Sequence, residues 1–285
     1  MKILLILLIS LGNLAVYSQK LHADIYAGAA NYQGDLQSKK FNLNQSKPTL
    51  GLGLSYDLTN KLILRGAASY ISLSSSDETG AAAKDVVFRN LRFKSIVWEA
   101  QLALEYNILD INDRGYTPYV FAGIAAFHFN PYSFDTAGNK VFLRSLTTEG
   151  QGLIQYPQKK LYSNNQLAIP FGGGIKLALS DKLQVGLEVG LRKLFTDYLD
   201  DVSGTYADSS VLAAARGPQA AAFAYRGSEI AGATAAYPAE GSQRGNPKLK
   251  DWYYTTGLRI SYLIGNNKNG LTGKKSKTGC PTNVF

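Results

Sequence analysis

The feature that most constrains this chain is an alternation of apolar and polar residues that recurs about eight times, over roughly ten residues each time. In the clearest example, Leu183, Val185, Leu187, Val189 and Leu191 alternate with Gln184, Gly186, Glu188, Gly190 and Arg192. One face of such a strand is aliphatic and the other carries charge. Repeated along one chain, this pattern is typical of strands with lipid outside and a polar lumen inside. We therefore predict an all-β fold: an eight-stranded antiparallel transmembrane β-barrel with long extracellular loops.

The composition favours strands over helices. The 285 residues include 18 Tyr, 12 Phe and 28 Gly, with one Met and one Cys. Aromatic residues suit strands and membrane interfaces, and glycine suits tight turns. After the first 20 residues no run of apolar residues is long enough for a helical membrane span. A secreted soluble β-protein is the alternative fold.

The two ends of the chain differ in composition from the middle. Lys2, the apolar stretch 3–11 and the small-residue site 16–18 have the order of an export signal. The expected organisation is a signal peptide at 1–18, an outer-membrane barrel at 19–265 and a basic periplasmic tail at 266–285. The tail is expected to be disordered, with a docking segment as the alternative. Cys280 is the only cysteine, so an internal disulfide is excluded.

The lengths of the connections between strands predict the topology. Short turns are expected at 57–61, 110–115 and 180–182, and long loops at 34–46, 72–89, 131–165 and 196–250. Short turns of outer-membrane barrels face the periplasm, so we expect both termini there. Phe127 and Phe129, at the end of the fifth strand, predict a membrane-interface belt. The last loop is expected to be largely accessible, with its start at 197–203 folded over the barrel mouth and with Arg216 and Arg226 as protease targets.

The residues expected to face the lumen are balanced in charge. The acids are Asp24, Glu99, Glu105 and Glu188, and the bases are Arg65, Lys176, Arg192 and Arg259. An eight-stranded barrel is just wide enough to be filled by side chains. Unpaired charges there would cost several kcal/mol each, so equal numbers predict a paired network that fills the lumen. A selective channel, the alternative, needs one sign to dominate.

The sequence offers no clear enzymatic, nucleic-acid or cofactor motif. The net charge is +9, but the basic residues are scattered, which disfavours nucleic acid as a partner. Neither His22 nor His128 lies in a recognisable nucleophile motif, so we predict that the chain is not an enzyme. Residues 172–174 are three glycines that lack the lysine and helix of a phosphate loop. Asp197, Asp200 and Asp201 lack the spacing of a calcium loop and suit turn and capping roles.

Several stretches resemble the PorG-type family of outer-membrane barrel proteins. They are residues 127–131, 148–152, 168–174, 195–203, 244–246 and 251–253. The most specific part is Thr196, Asp197, Tyr198, Leu199, Asp200, Asp201, Val202 and Ser203. The resemblance implies a role in the type IX secretion and gliding machinery, where the barrel ties a periplasmic ring of a lipoprotein and its partner to the outer membrane. The Ala-rich stretch 211–236 and the Lys-rich tail depart from the family pattern.

These observations lead to one functional expectation and one alternative. We expect a non-enzymatic outer-membrane barrel, in contact with lipid, that serves as an anchor or accessory subunit of the type IX machinery. Its candidate partner contacts are Asp110, Asn112, Asp181 and Lys274, on the turns and the tail. The alternative is a small-solute or surface-ligand-binding, porin-like barrel.

Overall fold

The computed structural model describes residues 21–37, 45–80, 88–230 and 236–264. The predicted signal peptide at 1–18 and the basic tail, with Lys274 and Cys280, lie outside these residues. Among the residues described, none of the helices is both long and apolar enough to cross a membrane.

Strands account for most of the described chain. In chain order they are β1 (Leu21–Gln33), β2 (Lys47–Asp57), β3 (Leu62–Ser76), β4 (Arg92–Asn107), β5 (Tyr116–Phe129), β6 (Tyr132–Phe134), β7 (Lys140–Phe142), β8 (Asn165–Ala178), β9 (Leu183–Leu194) and β10 (Trp252–Leu263). Short helices lie in the connections: α1 (Asp77–Gly80), α2 (Ile111–Arg114), α3 (Leu143–Leu146), α4 (Ser209–Arg216) and α5 (Pro218–Ala224), with a 3₁₀ turn at Gly227–Glu229.

Eight of these strands close into an antiparallel barrel. Each pairs with its neighbour in the order β1, β2, β3, β4, β5, β8, β9 and β10. The ring is closed because β1 pairs on its other side with β10, where Ile25 lies opposite Ile260. This confirms the predicted fold class and strand count. The two short strands β6 and β7 form a hairpin in the loop after β5.

The alternation of each strand separates an apolar exterior from a polar interior. Leu52, Ile124 and Leu187 point outward and are 67%, 68% and 58% exposed, whereas Glu105 and Arg192 point inward and are buried. An open sheet with this much exposed aliphatic surface would aggregate in water. A bilayer accommodates it, because closure leaves no strand edge unpaired and hydrocarbon covers the apolar face.

The two ends of the barrel differ in size. The end formed by 57–62, 107–116 and 178–183 carries only short turns. In one of them, Asp110 caps α2 by accepting a hydrogen bond from the Asn112 backbone N–H, and Gly115 ends the helix with a φ of 76°. Residues 21 and 264 also lie at this end, where Ile264 N donates to Leu21 O.

The other end carries a folded unit, called the cap below, made of the described residues within 34–37, 77–91, 130–164 and 195–251. Its apolar core includes Leu36, Leu146, Leu199, Leu212 and Phe223. The prediction that loop 196–250 is largely accessible is therefore wrong, whereas its start at 197–203 is folded against the end of the barrel as expected. Arg216 is exposed, but Arg226 is only 2% exposed.

Two further expectations at this end need correction. Phe127 and Phe129 do not form an interface belt, because both point inward and are buried in the core of the cap. The strand parity that turns these rings inward turns His128 outward. Strand β3 also runs to Ser76, beyond the predicted loop start at 72, since the inward-facing Leu73 packs into the same core.

Candidate functional site: the charged lumen and the cap

The eight predicted lumen residues all lie inside the barrel, and ion pairs connect them. Glu105 is the centre of the larger group. Its carboxylate accepts hydrogen bonds from Arg65 Nη1 at 3.1 Å, Lys176 Nζ at 2.5 Å and Arg259 Nη1 at 2.5 Å. With three cations around one acid, this position depends strongly on its negative charge.

A second acid shares two of these cations. Arg65 donates from both terminal nitrogens to Glu188, at 2.8 and 3.2 Å, and Arg259 Nη1 lies 3.7 Å from the same carboxylate. Arg259 also reaches Asp24 at 3.4 Å. The two arginines therefore link all three acids into one network.

The remaining acid, Glu99, pairs with Arg192 nearer the cap. Arg192 Nη2 donates to Glu99 at 3.1 Å, and Arg192 Nη1 donates to Thr255 Oγ1 at 2.8 Å. Tyr253 OH donates to Glu99 at 2.5 Å. Four acids and four bases thus meet as paired groups.

Aromatic side chains fill the space between the charged groups. Tyr119 OH donates to Glu188 at 2.9 Å, and the guanidinium of Arg65 lies 4.6 Å from the centre of the Phe121 ring. Tyr119, Phe121 and Tyr253 were not among the predicted lumen residues, which were all charged. These three residues occupy inward-facing positions in the alternation of β5 and β10, and that alternation could have identified them. One lumen cavity measures about 30 Å³, enough for only one or two water molecules.

The cap is organised around Arg244, which is buried. Its guanidinium donates to Glu149 Oε1 at 2.9 Å, to Asp201 O at 2.7 Å and to Ala224 O at 3.1 Å. Glu149 in turn accepts from the backbone N–H of Ser203 at 2.9 Å. Three of the stretches that carry the family resemblance, 148–152, 196–203 and 244–246, therefore meet in one hydrogen-bonded cluster.

The segment from Thr196 to Ser203 is mostly buried within the cap. Leu199 packs in the apolar core, and Asp201 adopts a left-handed conformation with a φ of 67°. The Asp201 carboxylate accepts hydrogen bonds from Thr148 Oγ1 at 2.6 Å and Tyr162 OH at 2.7 Å. Burial outweighs these bonds and raises the pKa of Asp201 to about 6.

Two buried carboxyl groups share one phenol where the cap joins the barrel. Tyr32 OH lies 2.6 Å from Asp200 Oδ2 and 3.1 Å from Asp251 Oδ1. The phenol has one proton to donate, so the second contact is a hydrogen bond only if a carboxyl supplies the proton. Burial and the neighbouring acid both raise the pKa of Asp251 well above its usual range. One proton shared by this pair fits both observations.

Asp197 lies near this pair, and both oxygens of its carboxylate are buried. Burial raises its pKa to about 7. Across the described ranges, no group of three or more His, Cys, Asp or Glu side chains is arranged to hold a metal ion.

The candidate partner contacts lie at the opposite end, on the short turns. Asp110 caps α2 and also accepts a hydrogen bond from Asn60 Nδ2 at 3.1 Å. Asp181 is partly exposed in the turn between β8 and β9. Lys274 lies outside the described residues. A further buried group at this end, His22, pairs with Asp57 at 3.1 Å.

Comparison with other proteins gives one family match and several structural similarities. A family model described as a domain of unknown function (DUF6089) matches residues 1–216. No curated protein shows significant sequence similarity to the chain.

Solved structures with a similar fold come from several bacteria. Neisserial surface protein A is 7% identical with a TM-score of 0.41, over 85% of this chain and 96% of that protein. The outer membrane protein OprG from Pseudomonas aeruginosa is 12% identical with a TM-score of 0.41, over 86% and 97%. A major outer membrane protein from Thermus thermophilus is 13% identical with a TM-score of 0.37, over 85% and 98%. The barrel assignment rests on the strand pairing of the chain itself.

Proposed function

Because this chain belongs to the DUF6089 family and closes into a barrel with an apolar exterior, we propose that it is a non-enzymatic outer-membrane protein of the PorG type. In this proposal it is an anchor or accessory subunit of the type IX secretion and gliding machinery. It would tether a periplasmic ring, made of a lipoprotein and its partner, to the outer membrane.

The observation that carries the proposal is the filled lumen. Glu105, Glu188 and their cations occupy the middle of the barrel, and the cap covers one end. A barrel filled in this way offers no wide path for solutes. The surfaces left for function are the two ends, which is what an anchor requires.

The asymmetry of the two ends supports the proposed orientation. Short turns face the periplasm in outer-membrane barrels, and larger loops face outward. The cap would then be extracellular, while Asp110, Asn112 and Asp181 would face a periplasmic partner. The resemblance in the cap segments 148–152, 196–203 and 244–246 supports the type IX machinery as the partner in this proposal.

Site-specific crosslinking in cells tests the proposal. A photo-crosslinker placed at Asp110, Asn112, Asp181 or Lys274 is expected to capture a periplasmic component of the type IX ring. The matched control is a crosslinker at Ile154, which is 93% exposed on the cap and should capture none. A deletion strain without paralogues is expected to export less type IX cargo. Normal export together with no crosslink from the four positions would refute the anchor role.

A second candidate, a barrel that binds a surface ligand, is favoured by one observation. The cap is a folded unit that still exposes large apolar side chains, Ile154 at 93% and Leu249 at 65%. Ligand-dependent protection of 131–165 or 196–250 from proteolysis, with no periplasmic crosslinks, would favour this candidate. Its porin-like form is opposed by the filled lumen.

A further inference from the structure

The outer face of the barrel carries a groove where three neighbouring strands each place an alanine in the same row. Ala68 on β3 lies opposite Ala100 on β4, and Ala100 lies opposite Ala126 on β5. All three point outward and are exposed. Elsewhere on this face the outward positions are mostly larger, so the row of methyl groups leaves a depression.

Large side chains form the walls of this groove. Trp98, Leu167 and Phe195 line it and are 60%, 63% and 57% exposed. Tyr70 supports the Trp98 indole in an edge-to-face contact with ring centres 5.2 Å apart. The open volume is about 790 Å³. The groove is continuous with the apolar exterior of the barrel, so the medium that covers that exterior also fills it.

One end of the groove is polar. His128 and Asn165 line it there, and His128 Nδ1 lies 2.7 Å from Asn165 Oδ1. An amide oxygen only accepts, so this contact requires the proton on Nδ1, which in the neutral imidazole leaves the lone pair on Nε2. His128 Nε2 can then accept a hydrogen bond, and the Asn165 amide nitrogen can donate one. The polar end therefore matches a group that both donates and accepts, such as a hydroxyl or an amide.

We propose that this groove is a binding site for one outer-leaflet lipid. An acyl chain would lie along Ala68, Ala100 and Ala126, and its amide or hydroxyl linkage would meet His128 and Asn165. Two observations select a lipid as the occupant: the groove opens onto the lipid-covered surface, and its polar end lies where β5 and β8 approach the cap. The inference uses the membrane location and orientation of the proposed function, and is independent of the type IX role.

Native mass spectrometry of the full-length protein, extracted from native membranes in mild detergent, tests the site. The wild type is expected to retain one lipid. Ala100→Leu with Ala126→Leu fills the groove and should lower the lipid-bound fraction by about tenfold, equivalent to about 1.4 kcal/mol. The matched control is Ala122→Leu, an outward alanine of β5 that does not line the groove, and it should retain the lipid.

Folding of each variant is checked by its gel migration before and after boiling. If the double variant does not fold, Ala126→Leu alone serves, with an expected smaller loss. His128→Ala should also weaken retention without filling the groove.

Equal retention by the groove variants and Ala122→Leu, or no retained lipid in the wild type, would overturn the proposal. So would a dimer that the groove variants abolish, because the occupant would then be a second copy. Loss of type IX export is a separate readout that these outcomes leave unaffected.

Discussion

Removing the charge of Glu105 should destabilise the barrel more than removing almost any other single charge. Glu105 is fully buried and accepts hydrogen bonds from three cations. In Glu105→Gln, Arg65 keeps Glu188, and Arg259 keeps Glu188 and Asp24. Lys176 keeps no acid within ion-pair distance, since its only such partner among the described residues is Glu105.

The expected loss of stability follows from this one cation that is left without a partner. Breaking a buried pair by removing one partner typically costs about 3 to 5 kcal/mol, so Glu105→Gln should lower the unfolding free energy by about that amount. Glu105→Gln with Lys176→Met removes both members of this ion pair, so that no unpaired lysine remains. The double variant should therefore be more stable than the sum of the single effects implies, by roughly 1 to 3 kcal/mol.

Urea titration of the barrel in lipid vesicles, followed by the gel shift between folded and unfolded forms, measures these free energies. Glu78→Gln is the control, because Glu78 is exposed in α1, and its effect should stay within about 0.5 kcal/mol. If Glu105→Gln matches this control, the network does not stabilise the lumen as described. Additive effects of Glu105→Gln and Lys176→Met would show that these two groups are not coupled.

Three other predictions concern the exterior and the cap. Leu187→Arg places a charge in the lipid-facing belt and should cost about 2 to 4 kcal/mol in the same titration, whereas Gln184→Arg, on the lumen face, should cost less; equal costs would contradict the assigned faces. Trypsin added to intact cells should cut at the exposed Arg216 before the buried Arg226, and cleavage only after the outer membrane is opened would reverse the topology. The Asp197 carboxyl has a folded pKa raised to about 7 from an unfolded value of about 3.9. Its contribution to cap stability is therefore full below the unfolded pKa and is lost as the pH rises through 7, so trypsin should cut the cap faster at pH 8 than at pH 5. This pH effect should shrink in Asp197→Asn, and an unchanged pH dependence would exclude Asp197 as its source.

The barrel was predictable from the sequence because its signal is local. The alternation within each strand indicates which side chains point inward and which point outward. The inward positions of Glu105 and Arg259 could therefore be predicted before their partners were known. The balance of charges also pointed to pairing. Which acid meets which base was not predictable, since partners such as Arg259 and Asp24 lie on different strands and depend on register.

The cap was not predictable for the opposite reason. Its core joins residues from separate loops, such as Leu36, Leu146 and Leu212, and no periodic pattern marks them. Small residues in 196–250 suggested an open loop, yet Ala220 and Ala224 pack as buried parts of α5. Phe127 and Phe129 followed the alternation rule correctly, but the interface interpretation ignored the inward parity that this rule assigns to them.

The cap contacts residues near both ends of the barrel sequence, and these contacts determine the stage of folding at which the cap can form. Tyr32 on β1 meets Asp251, which immediately precedes β10 and lies 219 residues later in the chain. Such a contact closes a very long loop, and its entropic cost is offset only when other structure has already brought the ends together. Pairing of β1 with β10 does this, so the cap should fold last, after the final strand has closed the barrel. The outer surface of the cap would then appear only on molecules whose membrane insertion is complete, and its formation rate would report on that final step.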